Sequence, residues 1–174
     1  MECINSTVIC LLVFFIMACT TTAEDYEKRA KVRMGRGDIE GALEDFDKAI
    51  ELNPDFHLAY ANRGNAKRKI GDYEGSIRDF DKIIADTKDK SGIGAIFLDR
   101  GETKAASKDF IGALNDYDKA ISLKPEGNAP NHYYYYRALT KYELNDKIGA
   151  CADMLKAREK GNKEAAEWIK KICD

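Results

Sequence analysis

Histidine is nearly absent from this sequence: His57 and His132 are the only two in 174 residues. They lie far apart and belong to no metal-binding or nucleophile motif, which removes the commonest routes to metal and acid–base chemistry at neutral pH. A dinucleotide loop is also lacking. Gly92-Ile-Gly94 continues to Phe97 where a third glycine is required, and no strand signal precedes it. No phosphate loop and no serine-centred elbow occurs. Carboxylates are abundant, yet they fall on helix faces that read as exposed, and no pair stands out for catalysis. Excess positive charge is missing too. Lys and Arg number 28 against 30 Asp and Glu, a formal net charge of -2, and the two signs are interleaved, as in Glu44-Asp45-Phe46-Asp47-Lys48. Such a surface offers no basic footprint for nucleic acid. The expectation is a chain that is no enzyme, with no cofactor, metal or small-molecule substrate.

Long apolar runs are scarce as well. Residues 8–18 are apolar throughout and carry no charge, but this run is eleven residues long, too short for the ~20 that cross a bilayer. It matches the ~7–15-residue apolar core of a secretory signal. Ile16-Met17-Ala18-Cys19 resembles a bacterial lipobox, in which the Cys is acylated and becomes the mature N-terminus. Met17 departs from the smaller or branched residue of that pattern, and the leader carries Glu2 with no Lys or Arg. The resemblance implies a signal peptide at 1–18, a short tether at 19–23 and lipid on Cys19, placing the protein in the bacterial cell envelope facing the periplasm. Plain secretion and a cytosolic chain with an apolar start remain the alternatives.

What the sequence does contain is repetition. Gly37-Asp-Ile-Glu-Gly-Ala-Leu-Glu-Asp-Phe-Asp-Lys-Ala-Ile50 nearly superimposes on the stretches beginning at Gly71 and Lys108, and more weakly on one beginning at Asn145, at offsets of 34, 37 and 37 residues. Each follows a second shared pattern: Tyr26, Arg29, Ala30 and Arg33; Tyr60, Arg63, Gly64 and Lys67; Phe97, Arg100, Gly101 and Lys104; Tyr134, Arg137, Ala138 and Lys141. Aromatic, small residue and long side chain at i, i+4 and i+7 share one helical face. Phe110, Ala113, Leu114, Tyr117, Ala120 and Ile121 form the apolar stripe of a second helix. Asp38, Asp72, Asp109 and Asp146 each stand where its N-cap belongs.

The unit is helix, tight turn, helix, and it resembles the tetratricopeptide repeat, whose Ala-x-x-x-aromatic and Pro signature is matched by Ala42, Phe46 and Pro54 and by Ala113, Tyr117 and Pro125. The resemblance covers about 23–160. It implies an all-α fold, a right-handed α-solenoid of four units (24–56, 57–92, 93–129, 130–162) with a C-terminal cap helix at 163–174. One helix pair cannot bury its own stripe, so neighbours must stack. The small residues admit close helix approach, and the aromatics fill the space between adjacent units. Gly41, Gly75, Gly112 and Gly149 recur inside the second helix, where Gly costs about 1 kcal/mol against Ala, which implies a close backbone contact. Arg29, Arg63, Arg100 and Arg137 replace the family's usual Leu, and Asp45, Asp79, Asp116 and Asp153 recur with them. A charge ladder within or between units is expected; a ligand-binding role for the arginines is the alternative.

In the cap, Ala165, Trp168, Ile169 and Ile172 share a face, and Trp168 is expected in the core against unit four. Cys151 lies 10 residues before Gly161 and Cys173 lies 11 after Asn162, so a hairpin there brings them level. A bridge between them in an oxidising compartment is expected to add ~3 kcal/mol; two unpaired core cysteines are the alternative.

The family's first helices line a concave groove, and the matching positions here include Leu58, Asn62 and Asn65 in unit two, Asp99 and Glu102 in unit three, and His132, Tyr135, Tyr136 and Leu139 in unit four. Where some members clamp a terminal carboxylate with Lys, Asn and Arg, this chain has Glu27, Asp99 and Leu58, so that activity does not carry over. Within Tyr133-Tyr134-Tyr135-Tyr136, Tyr134 belongs to the packing face. Tyr135 and Tyr136 either reach the groove, where Tyr suits protein interfaces, or pack on the loop 124–131. The implied function is a tethered protein–protein interaction scaffold or adaptor that binds a protein or peptide partner. The alternative is a self-associating structural subunit of an envelope assembly machine.

Overall fold

The structure, a computed structural model, describes residues 21–88, 92–124 and 129–173. The apolar segment and Cys19 lie outside them. The described residues hold nine α-helices and no strand: α1 (Ala23–Gly35), α2 (Ile39–Leu52), α3 (His57–Lys69), α4 (Tyr73–Asp86), α5 (Gly94–Ala106), α6 (Phe110–Ser122), α7 (Asn131–Glu143), α8 (Lys147–Glu159) and α9 (Ala165–Ile172). They fall into two compact bodies, one running to Ala59 and the other from Tyr60.

Every helix pair is joined by the same turn, and the sequence shows why. The backbone N–H groups of Asp38, Asp72, Asp109 and Asp146 reach back to the carbonyls of Arg33, Lys67, Lys104 and Lys141, the long bond that closes a helix end in a Schellman motif. The residue before each Asp is left-handed: Gly37, Gly71, Lys108 and Asn145, with φ of 85°, 83°, 67° and 64°. The same Asp then opens the next helix. Its side chain accepts from the N–H of Gly41, Gly75, Gly112 or Gly149 at 2.9–3.0 Å. A Cβ at any of these glycines would fall inside contact distance of the capping carboxylate. The recurring glycine therefore makes room for the cap of its own helix.

In the first body α1 packs on α2, and Ala23, Ala49 and Ala59 form a core edged by Tyr26, Ile50 and Phe56. Thr22 caps α1 in a reciprocal box with Asp25. In the second body, Gly64 faces the Phe80 ring and Gly101 faces the Tyr117 ring, where an added Cβ would lie 3.0 and 2.7 Å from ring carbons. These second-helix aromatics thus pack against the small residue of their own repeat, and Tyr117 also reaches the next repeat, where it stacks on Tyr136. Successive pairs stack α4 on α5, α6 on α7 and α8 on α9. Ser76 and Thr103, both buried, link α4 to α5 through their hydroxyls at 3.1 Å.

The arginines and aspartates form a ladder. Arg29, Arg63, Arg100 and Arg137 each grip the buried Asp45, Asp79, Asp116 or Asp153 of the same repeat through Nε and Nη2, at 2.5–2.9 Å. In the last three repeats Lys67, Lys104 and Lys141 join the same carboxylates at 2.7–2.9 Å. Each guanidinium also lies over the aromatic three residues before it, Tyr26, Tyr60, Phe97 or Tyr134. Rungs also cross between repeats in the second body, from Arg100 to Asp81 and from Arg137 to Asp118, the latter at 2.6 Å.

At the C-terminal end α9 covers Met154, Ala138 and Ala150. Trp168 is half-buried and meets the Tyr142 ring edge-on at 5.6 Å, with the Lys171 ammonium lying over both rings. It lies at the margin of this cluster and not in its core, partly buried beside Tyr142 on the short helix α9. Cys151 and Cys173 are joined by a disulfide that ties α8 to the residue after α9, with Cα atoms 5.3 Å apart.

Candidate partner-binding face

The second body brings α3, α5 and α7 together on one face. Asn65 and Arg68 come from α3, Asp99 and Glu102 from α5, and His132 and Tyr136 from α7. Spacing of three or four residues places each helix's contributors on one side. Arg68 donates from Nη1 to Glu102 at 2.5 Å and from Nη2 to Asn65 at 3.1 Å. Its Nε is buried without a hydrogen-bond partner among the described residues. Asn65 in turn bonds Asp99.

Charge on this face is unbalanced. Burial and the neighbouring Glu102 carboxylate push Asp99 up to about 6, although Arg68 and Asn65 favour its charged form. Burial, with Glu102 adding to it, holds the Tyr117 and Tyr136 hydroxyls above the usual phenol range. Burial lowers the His132 pKa, partly offset by Glu102. An imidazole so lowered stays neutral at pH 7 and does not compensate the acids.

Beside this polar cluster lies a cleft of about 440 Å³, walled by Ala105, Ala106, Phe110, Tyr117, Tyr136 and Leu139, with Arg68, Glu102, Lys108 and Glu143 around it. A cleft of this size and apolar lining suits one or two side chains of a ligand. Tyr136 stacks on Tyr117 with ring centroids 6.5 Å apart. Tyr136 also borders a second recess of about 350 Å³ with His132, Tyr135 and Glu164.

The four tyrosines part company because successive helical side chains turn by ~100°. Tyr133 is buried in the core of the third repeat. Tyr134 lies under the Arg137 guanidinium. Tyr135 leans toward α9, beside Glu164 and Trp168, while Tyr136 enters the cleft. The loop that was the alternative packing surface includes residues 125–128, which lie outside the described residues. Of the expected site residues, the structure gathers Asn65, Asp99, Glu102, His132 and Tyr136. Asn62 is half-buried one turn before Asn65 on α3, and Tyr135 sits at the edge. Arg68 was missed. Its place, three residues beyond Asn65, is a usable signal, but the register-matched positions hold Ala105 and Tyr142, so repeat comparison passes over it.

Among the described residues no group of three His, Cys, Asp or Glu is arranged to hold a metal ion, and no helix is long and apolar enough to cross a membrane.

Paired helices, Schellman turns and small-on-aromatic contacts define a helix-pair repeat protein. Residues 30–71 match the family model described as the TPR repeat, and the described chain has the tetratricopeptide-repeat fold. A protein of Methanocaldococcus jannaschii is 48% identical over 46 residues, 26% of this chain and 54% of that protein. The chain thus spans about half the length of this relative. Among solved structures, a chain of the APC/C hetero-tetramer Cut9-Hcn1 superimposes with a TM-score of 0.75 at 15% identity, over 88% of this chain and 30% of that one. YrrB, a TPR protein with an unusual peptide-binding site, superimposes with a TM-score of 0.64 at 20% identity, over 86% of this chain and 74% of that one. Identities this low speak for the fold alone.

Proposed function

We propose that this protein is a non-catalytic scaffold that binds a protein or peptide partner on the α3–α5–α7 face, and that lipid on Cys19 holds it at the periplasmic side of a bacterial membrane. The observation that carries the binding reading is the cleft beside Tyr136. An apolar recess with half-buried aromatics at its wall and polar groups at its rim has the anatomy of a protein-binding surface. The peptide-binding site described for YrrB agrees with this use of the fold. The tether rests on the sequence alone, where Ile16-Met17-Ala18-Cys19 follows eight of the eleven apolar residues. Several acyl chains, at about 0.8 kcal/mol per buried CH₂, are enough to anchor a domain.

Co-purification of the full-length protein from its native membrane, beside Cys19→Ala and Tyr136→Ala versions, tests both halves. A partner retained by the parent and lost with Tyr136→Ala supports the binding face. Release of Cys19→Ala into the soluble fraction supports the tether. A parent that is soluble with Cys19 intact sinks the tether, and one that brings down only copies of itself favours a self-associating subunit.

A further inference from the structure

Resting on the reading of this face as a partner site, we infer that its ligand is a peptide segment carrying a bulky apolar side chain next to a lysine or arginine. The apolar side chain fills the cleft over Tyr117, Tyr136 and Leu139. The cation is held by Asp99 and Glu102.

Two observations select this chemistry over the carboxylate-bearing peptides that a guanidinium in a binding face might suggest. The first is that Arg68 is already occupied. Its two terminal nitrogens already donate to Glu102 and Asn65 and its Nε is buried, so a ligand carboxylate would have to compete with bonds already made. An incoming carboxylate would also meet Glu102 and Asp99, at a cost of like-charge repulsion in a partly desolvated site.

The second is the charge balance of the groups facing the cluster. Arg68 comes from α3, Asp99 and Glu102 from α5, and neutral His132 with the hydroxyls of Tyr133 and Tyr136 from α7. One cation faces two carboxylates. Asp99 retains its proton to about pH 6 because burial and Glu102 outweigh Arg68. A second cation would relieve that imbalance, and the adjoining tyrosine ring offers it a face as well. Farther along the cleft, Glu143 and Lys108 are of opposite sign and do not change the balance. The apolar requirement follows from the walls, where Ala105, Ala106, Phe110 and Leu139 and the tyrosine rings offer carbon surface for a ligand side chain to pack on.

The test uses the full-length protein in detergent micelles and three fluorescein-labelled peptides, Gly-Ser-Lys-Phe-Lys-Gly-Ser, its Glu-Phe-Glu counterpart and its Lys-Ser-Lys counterpart, read by anisotropy. The Lys-Phe-Lys peptide is expected to bind at least tenfold more tightly than either of the others. Asp99→Asn should weaken it about fivefold while binding of the Glu-Phe-Glu peptide improves, because the like-charge repulsion is partly relieved. Asp99→Lys should reverse the preference between them, an outcome that mere loss of structure does not produce, and circular dichroism checks that each variant is folded. Equal binding of the Glu-Phe-Glu peptide, abolished by Tyr136→Ala, would overturn the basic-apolar class and leave the binding face standing. No peptide bound, with a native partner still captured through Tyr136, overturns the inference in the same way. No peptide bound and no partner captured removes the face itself.

Discussion

Arg137 closes a two-pronged ion pair on Asp153, its Nε and Nη2 lying 2.8 and 2.6 Å from the two carboxylate oxygens. The same clasp recurs in every repeat, and its setting explains why a family position usually given to Leu accepts an arginine. The guanidinium covers an aromatic ring as a leucine would, and adds a cross-repeat rung to Asp118. The arginines differ in exposure. The Arg29 side chain is 52% exposed, against 16% for Arg63 and for Arg100.

Arg100→Leu is therefore expected to destabilise the fold, although it restores the family's usual residue. It leaves Asp116, 4% exposed, with Lys104 as its remaining cation. Removing one partner of a buried pair costs ~3–5 kcal/mol, and the retained lysine should reduce that to about 2. Thermal unfolding checks it. A variant that unfolds at or above the parent's temperature would show the ladder to be dispensable.

The repeats and their caps were legible because each unit states them again: Arg29 with Asp45 and Asp38 before its stripe return three times in register. Three things were not. The glycine after each cap recurs visibly, but its purpose depends on where an Asp side chain closes, which spacing does not give. The cross-repeat rungs use Asp81 and Asp118, which read as solvated surface residues. The ladder's end is written only as an exception, Leu155 standing where Asp47, Asp81 and Asp118 stand in earlier units. The binding face was half legible for a related reason. A site is made by what differs between repeats, and Arg68, present in one unit, is invisible to a method that looks for sameness.

Lys108 is the one turn residue poorly matched to its conformation. It sits at φ 67°, where Gly37 and Gly71 serve in the earlier units. A non-glycine residue there costs roughly 1 kcal/mol, less for Asn. Lys108→Gly should raise the unfolding temperature by about 2–4 °C, and Asn145→Gly by less. Differential scanning calorimetry of both variants tests the order.

The bond between Cys151 and Cys173 closes a segment of sequence separation 22. By loop-closure entropy it contributes about 3 kcal/mol, and it holds α9 over Met154 and beside Tyr135. Cys173→Ser should lower thermal stability and raise amide exchange in α9 before the rest of the second body. A thiol reductant should reproduce this in the parent and leave the variant unchanged.

Asp99 gives the fold an inverted response to pH. An acid whose folded pKa lies near 6, against an ordinary value of 3.8, releases its proton more readily in the unfolded chain. The unfolded state then binds fewer protons between pH 4 and pH 6, and stability falls as pH rises through that window. Above it the penalty is complete, at most ~3 kcal/mol. Asp99→Asn keeps a polar partner for Asn65 and removes the charge. It should stabilise the protein at pH 7.5 by up to that amount, with the gain shrinking to nothing by pH 4. Urea unfolding at four or five pH values measures the difference directly. A gain that is the same at both ends would mean that the carboxylate's charge is not its source. A gain confined to neutral pH, together with weaker binding of the Lys-Phe-Lys peptide, identifies Asp99 as a residue whose cost to stability is offset by what it holds.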